Sequence, residues 1–568
     1  MNQPKTAWFM LGMSCVCLSL VITLGSITPS AYAQSPTPAA KPQSAHISQP
    51  QSQVKPDARI KPKSERDERD SRTKAQPQIK VLGPQQSPAM RRALERLDAR
   101  RAAAAQGARE PLPSKQRAMT AKLKTRLSAQ STKVSSDAAD HKRFVQYPLT
   151  QPLPAHALKT TNCDLFLRNL ESRLKSLKTI YDRDPKQPKS LVGYAATLYA
   201  RAQLYSDLEG IAQVASLIDQ ALRTHPKHDK LHMLRAQVAM TLHQLPRASQ
   251  ELDWLEANLS PQSRLRREMR STRRELDLQR GARLEQHLKE MERGYQRADY
   301  QGYLLAARAR ELRGQVSLAQ RYYGQAERRF RDVAPIPLAW LNVQRGLMAM
   351  HSGDFKAART FFRAGYERCP RYPMAAEHLA EIEGRLGDLK RASELYETVV
   401  KQTQHPEFMA ALAEIYLERG MKAESRDLVR RADERFRALN ALIPEAVSGH
   451  AADFYLGLGA SPEYALKLLK RDHQLRPNTH TRQALADALI ERGELKEASR
   501  LVALTLKSPV HFAEKYWTAT RLALAQKRTQ EARQYKKRAL SLNPKITELE
   551  GDLPHEIESS PSQVSPKP

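Results

Sequence analysis

An all-α array of stacked helical hairpins is the fold class this sequence predicts, and three observations carry the prediction. Between Ala339 and Pro406 one pattern occurs twice, 34 residues apart: Gly353 is answered by Gly387, Ala358 by Ala392, Phe362 by Tyr396 and Gly346 by Ala380. Such a period belongs to a helix–turn–helix unit. From Cys163 to Pro544 the apolar residues recur at helical spacing almost without a break. Finally, Gly346, Ala358, Ala380 and Ala392 are small enough for close helix contacts, while Phe362 and Tyr396 can fill the space between neighbouring hairpins. A lone hairpin cannot bury its apolar face, so weaker copies are expected on both sides of the two clear ones.

A small residue in the first helix, a Gly-Asp turn (Gly353-Asp354, Gly387-Asp388), an Ala opening the second helix and an aromatic four residues on together resemble the tetratricopeptide repeat (TPR). The resemblance implies a right-handed helical-hairpin solenoid. It also implies that the first helix of each pair lines a concave groove.

Taken in order, residues 1–33 read as a signal peptide. Lys5 lies in a short polar start, Phe9 to Gly25 is apolar, and Ala31-Tyr32-Ala33 has the small-x-small form of a cleavage site, which puts cleavage after Ala33. The chain is then expected to be periplasmic or secreted. The alternative is an uncleaved inner-membrane anchor, because the apolar run is near the shortest that spans a bilayer. Residues 34–150 are rich in Pro, carry 24 Lys and Arg against 10 Asp and Glu, and hold only two aromatics, Phe144 and Tyr147. Such a stretch cannot bury enough apolar surface to offset its ordering entropy, so it reads as a disordered basic spacer. One island from Pro88, with Met90, Leu94 and Leu97 on one face, could be helical.

Residues 160–262 read as degenerate repeats, in which His243 stands at a turn where the clear copies have Gly. Residues 263–300 lose the register and form an irregular basic helical hairpin. Residues 301–546 resume it, with Ala413, Gly420, Ala486, Gly493 and Ala498 at pattern positions. The second helix after Gly420 runs on towards Ile443. Residues 547–568, acidic and rich in Ser and Pro, read as a disordered tail.

Beyond the leader only Cys163 and Cys369 remain. Helices stacked in one direction at 8–10 Å spacing would separate them by roughly 50 Å, so two unpaired thiols are expected, an intermolecular bridge through Cys163 being the other reading. The net charge of +32 is spread along the chain. It favours anionic partners, which outside the cytoplasm are lipid head groups, acidic glycans or acidic proteins rather than nucleic acid.

Little in the sequence points to catalysis. His228-Asp-Lys-Leu-His232 places two imidazoles one helical turn apart, as a zinc-protease motif does, but Asp229 is shorter than the motif's Glu and no third ligand is evident. Asp229 as a helix cap, with the histidines exposed, is the simpler reading. No phosphate loop, nucleophile elbow or paired-cysteine metal motif is present, so neither an enzyme nor a cofactor is expected. Binding remains. The inward positions implied by the resemblance include Glu377, Glu381, Glu414, Glu418, Asp487 and Glu491, an acidic stripe or else a solvated helix face. Upstream, in the middle of the array, the groove positions are the apolar Trp340, Val343, Leu347 and Met350. The expected role is a periplasmic scaffold for another envelope protein or peptide. An adaptor in exopolysaccharide synthesis or export and a binder of anionic envelope polymers or the membrane surface are the alternatives.

Overall fold

The structure is a computed structural model and describes residues 144, 146–294, 299–550 and 553. The signal peptide, nearly all of the spacer with its Met90 island, and most of the tail lie outside the described residues. Among those described there are 22 α-helices and no strand. No helix among them is long and apolar enough to cross a membrane.

Helix α1 (Cys163–Arg183) enters the array. Nine hairpins follow: α2 (Pro188–Leu204) with α3 (Leu208–Thr224), α4 (Asp229–Thr241) with α5 (Leu245–Asn258), α8 (Tyr300–Leu312) with α9 (Val316–Arg329), and α10 (Ile336–His351) with α11 (Phe355–Arg368). Then come α12 (Pro373–Arg385) with α13 (Leu389–Thr403), α14 (Pro406–Glu418) with α15 (Lys422–Leu442), and α16 (Pro444–Leu456) with α17 (Pro462–Leu475). The last two pair α18 (Thr479–Glu491) with α19 (Leu495–Lys507), and α20 (Ala513–Ala525) with α21 (Thr529–Leu542). The architecture is therefore a TPR-like helical-hairpin solenoid.

One device makes every hairpin turn. Each of the nine contains a residue at positive φ: Ser206, His243, Gly314, Gly353, Gly387, Gly420, Ala460, Gly493 and Lys527. Only Gly enters that region without cost, which is why the sequence marks five of the turns and hides four. The left-handed residue lets the next amide reach back to a carbonyl of the ending helix, as Asp354 N does to Ala349 O at 2.9 Å and Asp388 N to Glu383 O at 2.9 Å. The Asp side chain then caps the following helix, Asp354 at Ala357 N (2.9 Å) and Asp388 at Arg391 N (3.0 Å).

Within hairpins the small residues mark contact points. A Cβ on Gly346 would meet the Phe362 ring at 2.3 Å. Ala358, Ala380, Ala392, Ala413, Ala486, Ala498 and Phe362 have no exposed surface, and Tyr396 almost none. Helix α15 does run to Leu442.

The stretch at 263–300 holds α6 (Leu265–Arg280) and α7 (Leu284–Gly294). These bury their apolar faces on different neighbours: Met269 and Leu276 join the core of α4 and α5, whereas Leu284 and Leu288 pack with Leu305 and Ala309 of α8. Loss of the repeat pattern thus reflects two helices that serve two hairpins.

Three expectations need correction. The spacer does not stay unstructured to Thr150: Phe144 is 2% exposed, and the chain from residue 146 to Asn162 is docked on the array, because Phe144, Leu153 and Leu158 supply apolar anchors. At the other end, residues 546–550 form α22 (Ile546–Glu550) with Leu549 buried, and Leu553 packs beside Trp517 and Ile546, so the ordered chain runs past residue 547. Lastly, Cys163 and Cys369 are not separate thiols. They form a disulfide, with Cα atoms 5.1 Å apart. Sequence separation does not become axial separation here, because the segment before α1 runs along α9–α11 and delivers the head of α1 to the end of α11.

Candidate partner-binding surface

The inner positions of the middle hairpins are filled by the protein itself. Helix α10 is buried on every side, and Trp340, Val343, Leu347 and Met350 are all within the core at 4% exposure or less. The array also closes across itself. Glu209 of α3 makes a two-pronged pair with Arg435 of α15 at 2.8 and 3.1 Å, and Ser206 reaches Met374. At the far end, the Gly314 turn touches His511 and Leu542, and the Gly353 turn touches Asn543.

The acidic positions divide into three groups. Glu377 and Glu381 flank His378, whose Nδ1 lies 2.9 Å from Glu377 Oε2 and 3.2 Å from Glu381 Oε2. Burial works against a charged imidazole there, but the two carboxylates outweigh it and hold the His378 pKa at about 10. Glu381 is also paired with Arg385. His378, Glu377 and Glu381 could by their spacing hold a metal ion, yet a cationic imidazole already occupies the space between the carboxylates. The second group, Asp487 and Glu491, is clamped by Arg521 of α20 at 2.8 and 3.0 Å. Only Glu414 and Glu418 make no salt bridge among the described residues, and burial pushes the Glu414 carboxyl up to about 7 against the pull of Arg385. The stripe is thus mostly internal ion pairing, with one open pair on α14.

The zinc-like string separates in the same way. His232 stacks on Trp254 at 3.6 Å, and its ring nitrogens meet Glu251 Oε2 (2.6 Å) and Pro226 O (2.9 Å). Contrary to expectation, His232 is a buried core residue rather than an exposed one, and the N-cap of α4 is His228 rather than Asp229.

One site was missed by reading the sequence. The arm, residues 146–162, runs against α9, α10 and α11 and is held through its backbone. Arg345 donates to Leu149 O (2.8 Å) and Gln151 O (3.3 Å), while Leu153 N donates to Glu327 Oε1 (3.1 Å). Arg345 and Glu327 pair with each other at 3.0 Å with essentially no exposure, and Gln320 completes the guanidinium's contacts. Arg368 donates to the carbonyls of Leu158 and Leu153, and Arg328 to that of Tyr147. Gly324 is what lets the arm come so near, since a Cβ there would lie 2.2 Å from Leu149 O. A buried arginine with its carboxylate, turned towards main-chain groups, holds the backbone of the arm, while Leu153 and Leu158 seat its side chains in the core. The available signal was Arg345 itself, the one charged residue in the run Ile336–Met350, which has to be partnered if buried.

Comparison with solved structures returns TPR proteins. A thermophilic TPR protein of Thermus thermophilus is 22% identical over 33% of this chain and 98% of its own, with TM-score 0.27. Pseudomonas aeruginosa pilF is 18% identical over 37% and 95%, with TM-score 0.24. Yeast Tom70 is 14% identical over 68% and 91%, with TM-score 0.31. No family model and no curated protein matches the chain.

Proposed function

We propose that this chain is a non-catalytic scaffold of the cell envelope, exported to the periplasm, which holds an extended segment of another envelope protein against its hairpins. The observation that carries the reading is the arm: hairpins α8/α9 and α10/α11 hold a segment of this chain by hydrogen bonds to its main chain and by the apolar anchors Leu153 and Leu158, so the array has the chemistry to hold a peptide segment. The buried Cys163–Cys369 bridge supports an oxidising compartment, and with it the signal-peptide reading of residues 1–33. Of the acidic positions, Glu414 and Glu418 are the pair open to a basic or amine-bearing partner segment.

Two measurements test this. Fractionation with N-terminal sequencing should find the mature chain in the periplasm, starting at Gln34; a cytoplasmic chain starting at Met1 would overturn the export reading. Cross-linking in intact cells should join one envelope protein to the chain, and Glu414→Gln with Glu418→Gln should reduce that adduct while circular dichroism is unchanged. An unaltered adduct would dismiss the α14 pair as solvated surface.

A further inference from the structure

Independently of the partner-binding reading, we propose that the outer face of the last three hairpins is a docking surface for the anionic lipid head groups of a membrane. The motivation is how the second helices of the hairpins treat their cations. Upstream many are paired, Arg359 and Arg363 of α11 with Glu383, and Arg430 and Arg437 of α15 with acids on their own helix, although Lys422 and Arg426 of α15 already form one exposed pair without an acid partner among the described residues. Downstream that unpaired arrangement recurs on three successive second helices. Helices α17, α19 and α21 each place two cations one turn apart on the exposed side: Lys467 and Arg471, Lys496 and Arg500, Arg533 and Lys537. None of the six forms an ion pair among the described residues. Like charges at this spacing disfavour a helix, so nothing within the fold accounts for them.

The chemistry of the face selects the partner. The cations stand on the side of each helix opposite its buried residues, Ala465 and Leu469, Ala498 and Val502, Ala532 and Ala539. They line no groove. Leu504 of α19, 43% exposed, lies on the same side as Arg500 and Lys507, which gives the face an apolar tooth amid its charge. The aromatics of these helices, Tyr464 and Tyr535, pack on the core, so no ring is offered for stacking on nucleic-acid bases. Spread cations around an exposed leucine suit a bilayer interface, where each Lys or Arg adds to adsorption and the leucine reaches the acyl boundary.

The test is amine-labelling footprinting of the full-length oxidised chain, read residue by residue by mass spectrometry. Vesicles of phosphatidylcholine with about one-third phosphatidylglycerol should protect Lys467, Lys496, Lys507 and Lys537, and leave Lys390 and Lys401 of α13 open. Pure phosphatidylcholine should protect none, and 0.5 M salt should abolish the effect. Because the readout is local, adsorption through another basic segment does not imitate it. Lys496→Gln with Arg500→Gln should raise the lipid needed to protect Lys507 by roughly 25-fold, about fivefold for each cation lost. Equal labelling with and without anionic vesicles overturns the proposal. So does protection by dextran sulfate equal to or stronger than that by vesicles at matched charge, which would assign the face to soluble polyanions.

Discussion

Cutting the Cys163–Cys369 bridge should be the most damaging single covalent change available to this chain. The bridge spans 206 residues of sequence. If it acts by restricting the unfolded chain, a loop of that length contributes about 5 kcal/mol at 25 °C, and measured values for native disulfides usually fall between about 2 and 5 kcal/mol. Part of the effect should be local. Removing the bridge frees the head of α1 from α11 and leaves the arm held by the hydrogen bonds of Arg345, Arg368 and Glu327. We therefore expect Cys163→Ser to lower the urea midpoint by the equivalent of roughly 2–5 kcal/mol, followed by tryptophan fluorescence, with Trp340 a buried reporter. Reduction of the parent protein should reproduce the shift, and reductant should not move the variant. Peptide mapping without reduction should recover Cys163 and Cys369 in one linked pair. Two alkylated cysteines in the native oxidised protein, or an unchanged midpoint, would refute the argument.

Gly324→Ala forces a methyl into Leu149 O, so the arm should lift and new protease cuts should open between residues 146 and 161, whereas the parent should be trimmed no further than Phe144. Arg345→Met leaves Glu327 buried without its partner and should cost about 3–5 kcal/mol in chemical denaturation; a neutral outcome would mean the pair is not buried in solution. Ala392→Trp intrudes on a contact with no free surface and should cost roughly 1–3 kcal/mol or more, with hydrogen exchange loosening first around residues 340–430. Lys527→Gly removes an exposed side chain from a left-handed position and should stabilise by up to about 1 kcal/mol in thermal melts. Burial raises the pKa of Glu414 and of Asp453 to about 7, above their unfolded values, so the folded state binds those protons more tightly. The stability they contribute is complete below about pH 4 and is lost as pH rises through 7. Glu414→Gln should therefore raise the melting temperature at pH 8 and leave it unchanged near pH 3.

The hairpin architecture was legible because its determinants are local. A turn glycine, a capping Asp and small residues on facing helices each act within one unit, and Gly353, Gly387, Gly420 and Gly493 all stand where such turns need them. Turns at Ser206, His243, Ala460 and Lys527 were harder to see, because there the surrounding fold imposes a backbone that the residue type does not advertise. What escaped was contact between distant units. The Cys163–Cys369 bridge, the Glu209–Arg435 pair and the backbone site at Arg345 all join residues more than 190 positions apart, which no periodicity encodes. The same closure explains the acidic stripe: Asp487 and Glu491 sit on one helix face as counted, but Arg521, two helices on, already answers them.

The bridge also decides how this chain would carry tension. A pull applied upstream of Phe144 passes along the arm to Cys163 and crosses the sulfur–sulfur bond to Cys369, so it enters the array at the hairpin α10/α11. Everything between, from α1 through α11, lies in a covalently closed loop that the force bypasses. Those hairpins cannot be peeled one by one from the N-terminal side, and about 700 Å of contour stays hidden while the bond is intact. Extension would begin instead beyond Cys369, so an oxidised chain is a short, stiff tether and a reduced one a long, yielding one.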